Sequence, residues 1–167
     1  MGYQEHKEKS FKEVRCSVMR VSDILTPEKD TQGKLVMKCL EDASHSVLLY
    51  RIVKSVPLEI RKTLEEFARY ERLQTVLLIG GTGLSERDVT YETIESVIEK
   101  PITGYGELFR YLSYQEIGPA AMLSRATAGI YQGKLIFSLP GSDSAARLVM
   151  EKLILPELGH MVWDANR

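Results

Sequence analysis

The 167-residue sequence has almost no surplus of charge: 22 Lys and Arg stand against 23 Asp and Glu, a formal net charge of −1. Without a basic excess there are few counterions to release from nucleic acid and little attraction to an anionic membrane, so neither is expected as a partner. Cysteine is scarce. Cys16 and Cys39 lie in apolar segments without metal-ligand spacing, and a chain of this size needs no disulfide framework, which fits a reducing compartment. Long apolar runs are missing as well: Val76–Ile79 and Leu153–Leu155 fall far short of the roughly 20 residues that cross a bilayer. The opening MGYQEHKEKS lacks the apolar centre of a signal peptide, so a cytoplasmic protein is expected. There is no internal repeat, low-complexity tract or linker.

What is present is an ordinary globular balance, 44% hydrophobic and 27% charged, enough for one sizeable core. Residues 1–10 are polar without periodicity and read as a frayed tail before a single domain over 11–167. EVRCSVMRVSD reads as a strand entering a loop at Ser22 and Asp23. A helix follows, with Val36, Cys39, Leu40 and Ala43 on one stripe. SVLLYRIVK is rich in strand formers. Pro57 then opens a helix whose Ile60, Leu64, Phe67 and Ala68 face one way. TVLLIGG is apolar without alternation, as a central strand covered on both faces should be, and TYETIESVIEK reads as helical. Downstream, GYGELFRYLSYQEIG is helical in its middle, ATAGIYQGKLIFSLP gives two strands joined around Gln132 and Gly133, and GSDSAARLVMEKLILPEL restores a helical stripe interrupted at Pro156. Strands alternating with helices predict an α/β fold, a three-layer α/β/α sandwich with a mostly parallel sheet and a short C-terminal hairpin. Ligands of such sheets lie beyond the carboxyl ends of the strands, which directs attention to the loops after Val21, Ile79 and Leu139.

The second of these loops, GGTGLSERDVT, holds three glycines where a plain reversal needs one or two. It is not a dinucleotide fingerprint, because counting G-x-G-x-x-G from Gly81 puts Glu86 where the third glycine belongs, which argues against a nucleotide-dependent oxidoreductase. Nor is it a P-loop, since Gly-Leu-Ser-Glu replaces Gly-Lys-Ser/Thr. Two readings stay open. In one, the amides of Gly81, Thr82 and Gly83 receive phosphate oxygens while Asp88 holds the accompanying magnesium. In the other, the glycines make a tight turn, Asp88 caps it, and Thr90 caps the next helix with Glu92 in its first turn.

LLIGGTGLSERDVTYETI resembles the GGTG-x-x-x-RD-x-T signature of the MoaB/Mog family of molybdenum-cofactor biosynthesis proteins, whose fold also occurs in gephyrin. ITGYGELFRYLSYQEIGPAAMLSRATAGI, LIFSLPGS and the early VSD resemble further family segments in the same order, and the likeness spans roughly 14–160. The resemblance implies a molybdopterin-binding protein. In the Mog branch AMP passes from ATP to the terminal phosphate of molybdopterin and pyrophosphate is released. Carried over by position, Gly80, Gly81, Thr82, Gly83, Asp88 and Thr90 would form the nucleotide and phosphate end, with Asp88 as catalytic residue and Mg²⁺ ligand. Ser22, Asp23, Asp30, Gly104, Gly106, Glu107, Ser124, Arg125, Pro140, Gly141 and Ser142 would border the same pocket or support it, Arg125 as an anion partner.

The chain departs from the family pattern at Ser55, where an aspartate treated as catalytic is usual, at Gln32 within the Asp30–Gly33 element, and at Asp143 after LPGS. Ser55 reads as a helix-start cap, and it cannot give magnesium a second carboxylate. An oligomeric, non-catalytic molybdopterin carrier is therefore the alternative to an adenylyltransferase. Tyr105, Leu108, Phe109, Tyr111, Leu112 and Tyr114 put apolar groups on more than one helix face, and the resemblance implies a homo-oligomer, trimer or hexamer, with metal insertion left to a separate protein.

Overall fold

The computed structural model describes residues 10–167, so the expected polar tail lies outside the described residues except for Ser10. β1 (Arg15–Val21) runs parallel to both β2 (Ser46–Val53) and β3 (Thr75–Ile79), and β3 runs parallel to β6 (Lys134–Leu139). β5 (Ala128–Tyr131) returns antiparallel to β6 and carries the short edge strand β4 (Lys100–Pro101). The six strands lie in the order β2-β1-β3-β6-β5-β4. The hairpin between β5 and β6 turns at Gln132 and Gly133, both at positive φ, 46° and 72°, the backbone that a tight two-residue turn between twisted strands demands.

The period of two along the central strands sorts their side chains into two cores. Leu77 and Ile79 of β3 face α1 (Thr31–Asp42), α4 (Thr103–Ile117) and the C-terminal helices, in one cluster with Val36, Leu40, Phe109, Phe137 and Val149. Val76 and Leu78 face the other way, with Ile60, Leu64 and Phe67 of α2 (Pro57–Ala68) and Ile94 of α3 (Thr90–Glu95). All five residues of β3 are buried because both faces are covered. The three-layer α/β/α sandwich follows from this one alternation.

Three local expectations need correction. The helix foreseen over TYETIESVIEK stops at Glu95. Glu99 N donates to Ile130 O at 2.8 Å and Ile102 N to Ala128 O at 2.7 Å, so Pro101 sits on an edge strand, where a missing N–H is tolerated. Ser55 caps nothing: the residue before α2 is Val56, which gives no side-chain cap. Pro156 does not break the C-terminal arm. Between α5 (Asp143–Val149) and α6 (Leu155–Ala165) the chain forms a π-helical turn over Met150–Ile154, and Leu155 N reaches back to Met150 O. That wider turn absorbs a residue with no N–H to give.

Leu78 is fully buried in the α2–α3 core. Leu78→Ala is expected to lower unfolding free energy by about 2–5 kcal/mol, measured by urea denaturation, because the sheet backbone cannot collapse into the space vacated.

Candidate functional site

The sheet changes winding direction between β1 and β3, since β2 lies on one side of β1 and the later strands on the other. The loops leaving β1, β3 and β6 therefore share one end of the sheet, at the kind of crevice where open α/β sheets receive ligands. Gly80 and Gly81 turn the chain out of β3 with φ of 92° and 66°. Gly80 N donates to Leu139 O at 3.2 Å, and Thr90 N to Gly81 O at 2.8 Å, closing the loop onto the start of α3. A Cβ on Gly81 would stand 2.2 Å from Thr90 Oγ1, and one on Gly141 only 3.8 Å from Gly80 Cα. The Gly80–Gly83 turn thus packs against the buried Thr90 on one side and lies beside the Pro140–Ser142 loop on the other.

Asp88 is fixed within this loop. Its Oδ2 accepts from Ser85 N at 3.0 Å and from the Ser85 hydroxyl at 2.5 Å. These bonds, chiefly the one from the hydroxyl, hold the Asp88 carboxyl below the usual carboxylate range against the opposing effect of partial burial. The turn-capping reading of Asp88 is therefore correct as local geometry, and Oδ1 accepts no bond from Ser85. Thr90 caps no helix end; its Oγ1 is buried without a hydrogen-bond partner.

On the β1 side, the Ser22 hydroxyl accepts from Ile24 N and Leu25 N, and Asp23 Oδ1 accepts from Ser55 N at 2.8 Å. Asp30 is a buried helix cap: Oδ1 accepts from Gly33 N at 2.9 Å and Oδ2 from the Tyr50 hydroxyl at 2.7 Å. Gln32 Nε2 donates to Gly141 O, tying α1 to the loop after β6.

The remaining candidates divide between contacts that support the turn and a second cavity. Arg125 turns its donors on carbonyls, giving Nε to Thr82 O at 3.1 Å and Nη2 to Gly83 O and, at 3.4 Å, to Asp88 O. It also pairs with the Glu92 carboxylate and lies over the Tyr91 ring, 5.1 Å from its centroid. Its donors are thus engaged by three carbonyls of the turn and by the Glu92 carboxylate, which makes Arg125 a clamp on the loop. Gly106 and Glu107 line a separate cavity of about 320 Å³ with Glu95, Arg110 and Thr127, and no residue of the glycine turn borders it. Gly106 is required there for packing, because a Cβ would come within 2.7 Å of Ala126 O. Gly104 has no neighbour within 4 Å of its Cβ position, and Ser124 offers its carbonyl to Arg110.

One residue escaped the sequence reading. Arg20 projects from the even-numbered face of β1, among Cys16 and Val18, with its side chain only 13% exposed and Nε 3.5 Å from Asp30 Oδ1. Nε and Nη1 are buried without a hydrogen-bond partner. A buried donor left unpaired costs about 1–3 kcal/mol, so this is a notable expense at one end of a sheet. The signal was available: RCSVMRV carries a cation at a position whose alternation partners are all core residues.

Residues 17–160 match the family model described as a probable molybdopterin binding domain. The chain belongs to this family. It is 45% identical over 168 residues to molybdenum cofactor biosynthesis protein B of Bacillus cereus, covering 100% of this chain and 99% of that one. The crystal structure of a molybdenum cofactor biosynthesis protein B superposes with a TM-score of 0.91 at 46% identity, over 93% of this chain and 98% of the other. The tungsten cofactor synthesizing protein MoaB from Pyrococcus furiosus gives 0.86 at 34% identity, over 95% and 100%. Among the described residues no helix is long and apolar enough to cross a membrane.

If Arg125 orders the turn, Arg125→Ala should speed amide hydrogen exchange across 81–88 and leave β3 protected. A loss of about 1–3 kcal/mol in stability is expected with it. Unchanged exchange in the loop would remove the clamp from the account.

Proposed function

We propose that the chain serves molybdenum-cofactor biosynthesis by binding molybdopterin and adenylylating it with ATP and Mg²⁺, in the cytoplasm, with a separate protein inserting the metal afterwards. The observation carrying this reading is the meeting of the Gly80–Gly81 turn, with Asp88 fixed behind it, and the Pro140–Ser142 loop at the β1–β3 switch point.

An oxygen of the pterin's terminal phosphate attacks the α-phosphorus of ATP, the bond to the β-phosphate breaks, and its electron pair leaves with pyrophosphate. A phosphate monoester is already anionic near neutral pH, so no strong base is required. Alignment of two polyanions and relief of their repulsion are what the protein must supply. The Gly81 and Thr82 amides suit the first task, since Gly80 N is already bonded to Leu139 O and Gly83 N faces Asp88.

The donor set fits a magnesium ion that arrives with phosphates. Among the described residues no three His, Cys, Asp or Glu side chains gather to hold a metal by themselves, but Mg²⁺ is commonly held by one carboxylate plus phosphate oxygens and water. Asp88 would be that carboxylate, and the bound ion would neutralise charge developing on the phosphates. Ser55 favours a second reading, the non-catalytic carrier, because its hydroxyl is neutral; yet its amide holds the Asp23 carboxylate beside it.

Assembly rests on α4. Tyr105 and Phe109 pack inward, while Leu108, Tyr111, Tyr114 and Ile117, each more than half exposed, form an outward stripe continued by Met122 and Leu123. A contiguous apolar face of this kind suits a second copy of the chain, in a trimer or hexamer.

Purified protein given molybdopterin, ATP and Mg²⁺ should yield adenylylated pterin and pyrophosphate. Asp88→Asn should cut turnover by about 100-fold or more while keeping molybdopterin affinity; equal turnover would take Asp88 out of the mechanism. Binding without turnover would favour the carrier, and activity gained in Ser55→Asp would locate the missing group. Tyr111→Glu is expected to shift the sedimentation of the assembly towards monomer, and an unchanged coefficient would clear this face of the role.

A further inference from the structure

We propose that Arg20 is a fixed receptor for a phosphoryl oxyanion, holding a ligand phosphate at the β1–β3 end of the sheet without a metal ion. The proposal rests on the reading of this end as the ligand site. Its basis is a set of donors with nowhere else to go. Arg20 is paired in register with Ile79, the last residue of β3, so its guanidinium lies directly beneath the glycine turn. Nη1 is 2.9 Å from the point where a Cβ on Gly80 would stand, so the guanidinium lies against the turn itself.

The neighbouring acid does not satisfy it. Both Asp30 oxygens are already engaged, by Gly33 N and by the Tyr50 hydroxyl, and the Nε contact at 3.5 Å balances charge without making a hydrogen bond. A guanidinium presents planar donor pairs that match two oxygens of one phosphoryl group, and it stays charged where a lysine would yield its proton. Burial pushes its pKa down, and the carboxylates of Asp30 and, across the loop after β6, Asp143 push it back up. Asp143 is exposed at the start of α5 and is thus a rival for the same cation. Arg20 and Asp88 then divide the work: one side of the turn carries a permanent cation, the other a carboxylate suited to a metal that comes with its ligand.

A purely structural role, neutralising Asp30, would be met by any cation at position 20 and would leave ligand affinity indifferent to loss of the guanidinium fork. The two are separated by titrating the full chain with inorganic pyrophosphate in excess EDTA. The wild type should bind, Arg20→Lys should bind about tenfold or more weakly because the fork is lost while the charge is kept, and Asp143→Asn should bind several-fold more tightly. Equal affinity in Arg20→Lys, or no binding by the wild type unless Mg²⁺ is added, would overturn the proposal. Should Arg20→Lys fail to fold, the surface variant decides: unaltered affinity in Asp143→Asn counts against it. Displacement of pyrophosphate by molybdopterin or by ATP, still in EDTA, identifies which ligand brings the oxyanion, and displacement by neither overturns the assignment. A wild type that adenylylates molybdopterin while Arg20→Lys binds pyrophosphate normally sinks Arg20 alone. A wild type that binds neither molybdopterin nor pyrophosphate sinks the underlying reading too.

Discussion

The left-handed backbone at Gly80 and Gly81 is the constraint on which the candidate site depends. It lets β3 end in the centre of the sheet without its chain rising over the neighbouring loops, so that Gly80 N can pair with Leu139 O and the chain can double back to start α3 at Thr90. A side chain at 80 would meet the Arg20 guanidinium, and one at 81 would meet the Thr90 hydroxyl. The same absence of side chains that permits the turn leaves room for buried polar atoms around it. Of the five buried side-chain polar atoms without a hydrogen-bond partner among the described residues, four (Arg20 Nε and Nη1, Gln32 Oε1 and Thr90 Oγ1) belong to residues at this end of the sheet, and one, Thr75 Oγ1, lies at the start of β3. Buried polar groups are normally paired, so a concentration of unpaired ones where three loops meet is the mark of a surface built for something besides its own stability.

Electrostatics divide the loop into two halves. In one, Arg125 satisfies the carbonyls of Thr82, Gly83 and Asp88 and neutralises Glu92, which removes the negative ends of those peptide dipoles from play. Ser85 meanwhile stabilises the ionised form of Asp88. The carbonyls of Thr82, Gly83 and Asp88 are thus occupied while the Asp88 carboxylate is kept ionised, and on the function proposed above the amides of the turn are left to the ligand. That polarity suits phosphate and a phosphate-borne cation together better than it suits either one alone.

The layered fold was legible in the sequence because its signals are local and redundant. The apolar run TVLLI, the stripes Val36–Leu40 and Ile60–Leu64–Phe67, and the Gln132–Gly133 reversal each announce their own geometry. Most of the loop cluster was legible too, through position at strand ends together with the family resemblance. What was not legible depends on contacts between distant segments. Pairing of 99–102 with β5 ended α3 early, the π-helical turn accommodated Pro156, and the carbonyls of a loop some 40 positions away took up Arg125. Arg20 is a different kind of omission. Alternation along β1 sets it in line with Cys16 and Val18 of the core, and a cation in that line is a local signal, but in a strand read only for its apolar content it passes unnoticed.

The exposed face of α4 and the glycine turn are also joined through the chain. Met122 and Leu123 extend the apolar stripe, Ser124 follows, and Arg125 grips the turn. The segment between is a 3₁₀ turn, Gly118–Leu123, whose only buried side chain is Ala121, so little of its own packing holds it in place. Segments with few buried apolar contacts are those that open most readily. Covering Leu123 and Met122 with a second copy of the chain would add the missing burial two residues from the clamp, and the order of the Thr82–Asp88 backbone would then depend on assembly. In that arrangement assembly would do more than hide an apolar face: it would fix the arginine that holds the carbonyls of Thr82, Gly83 and Asp88.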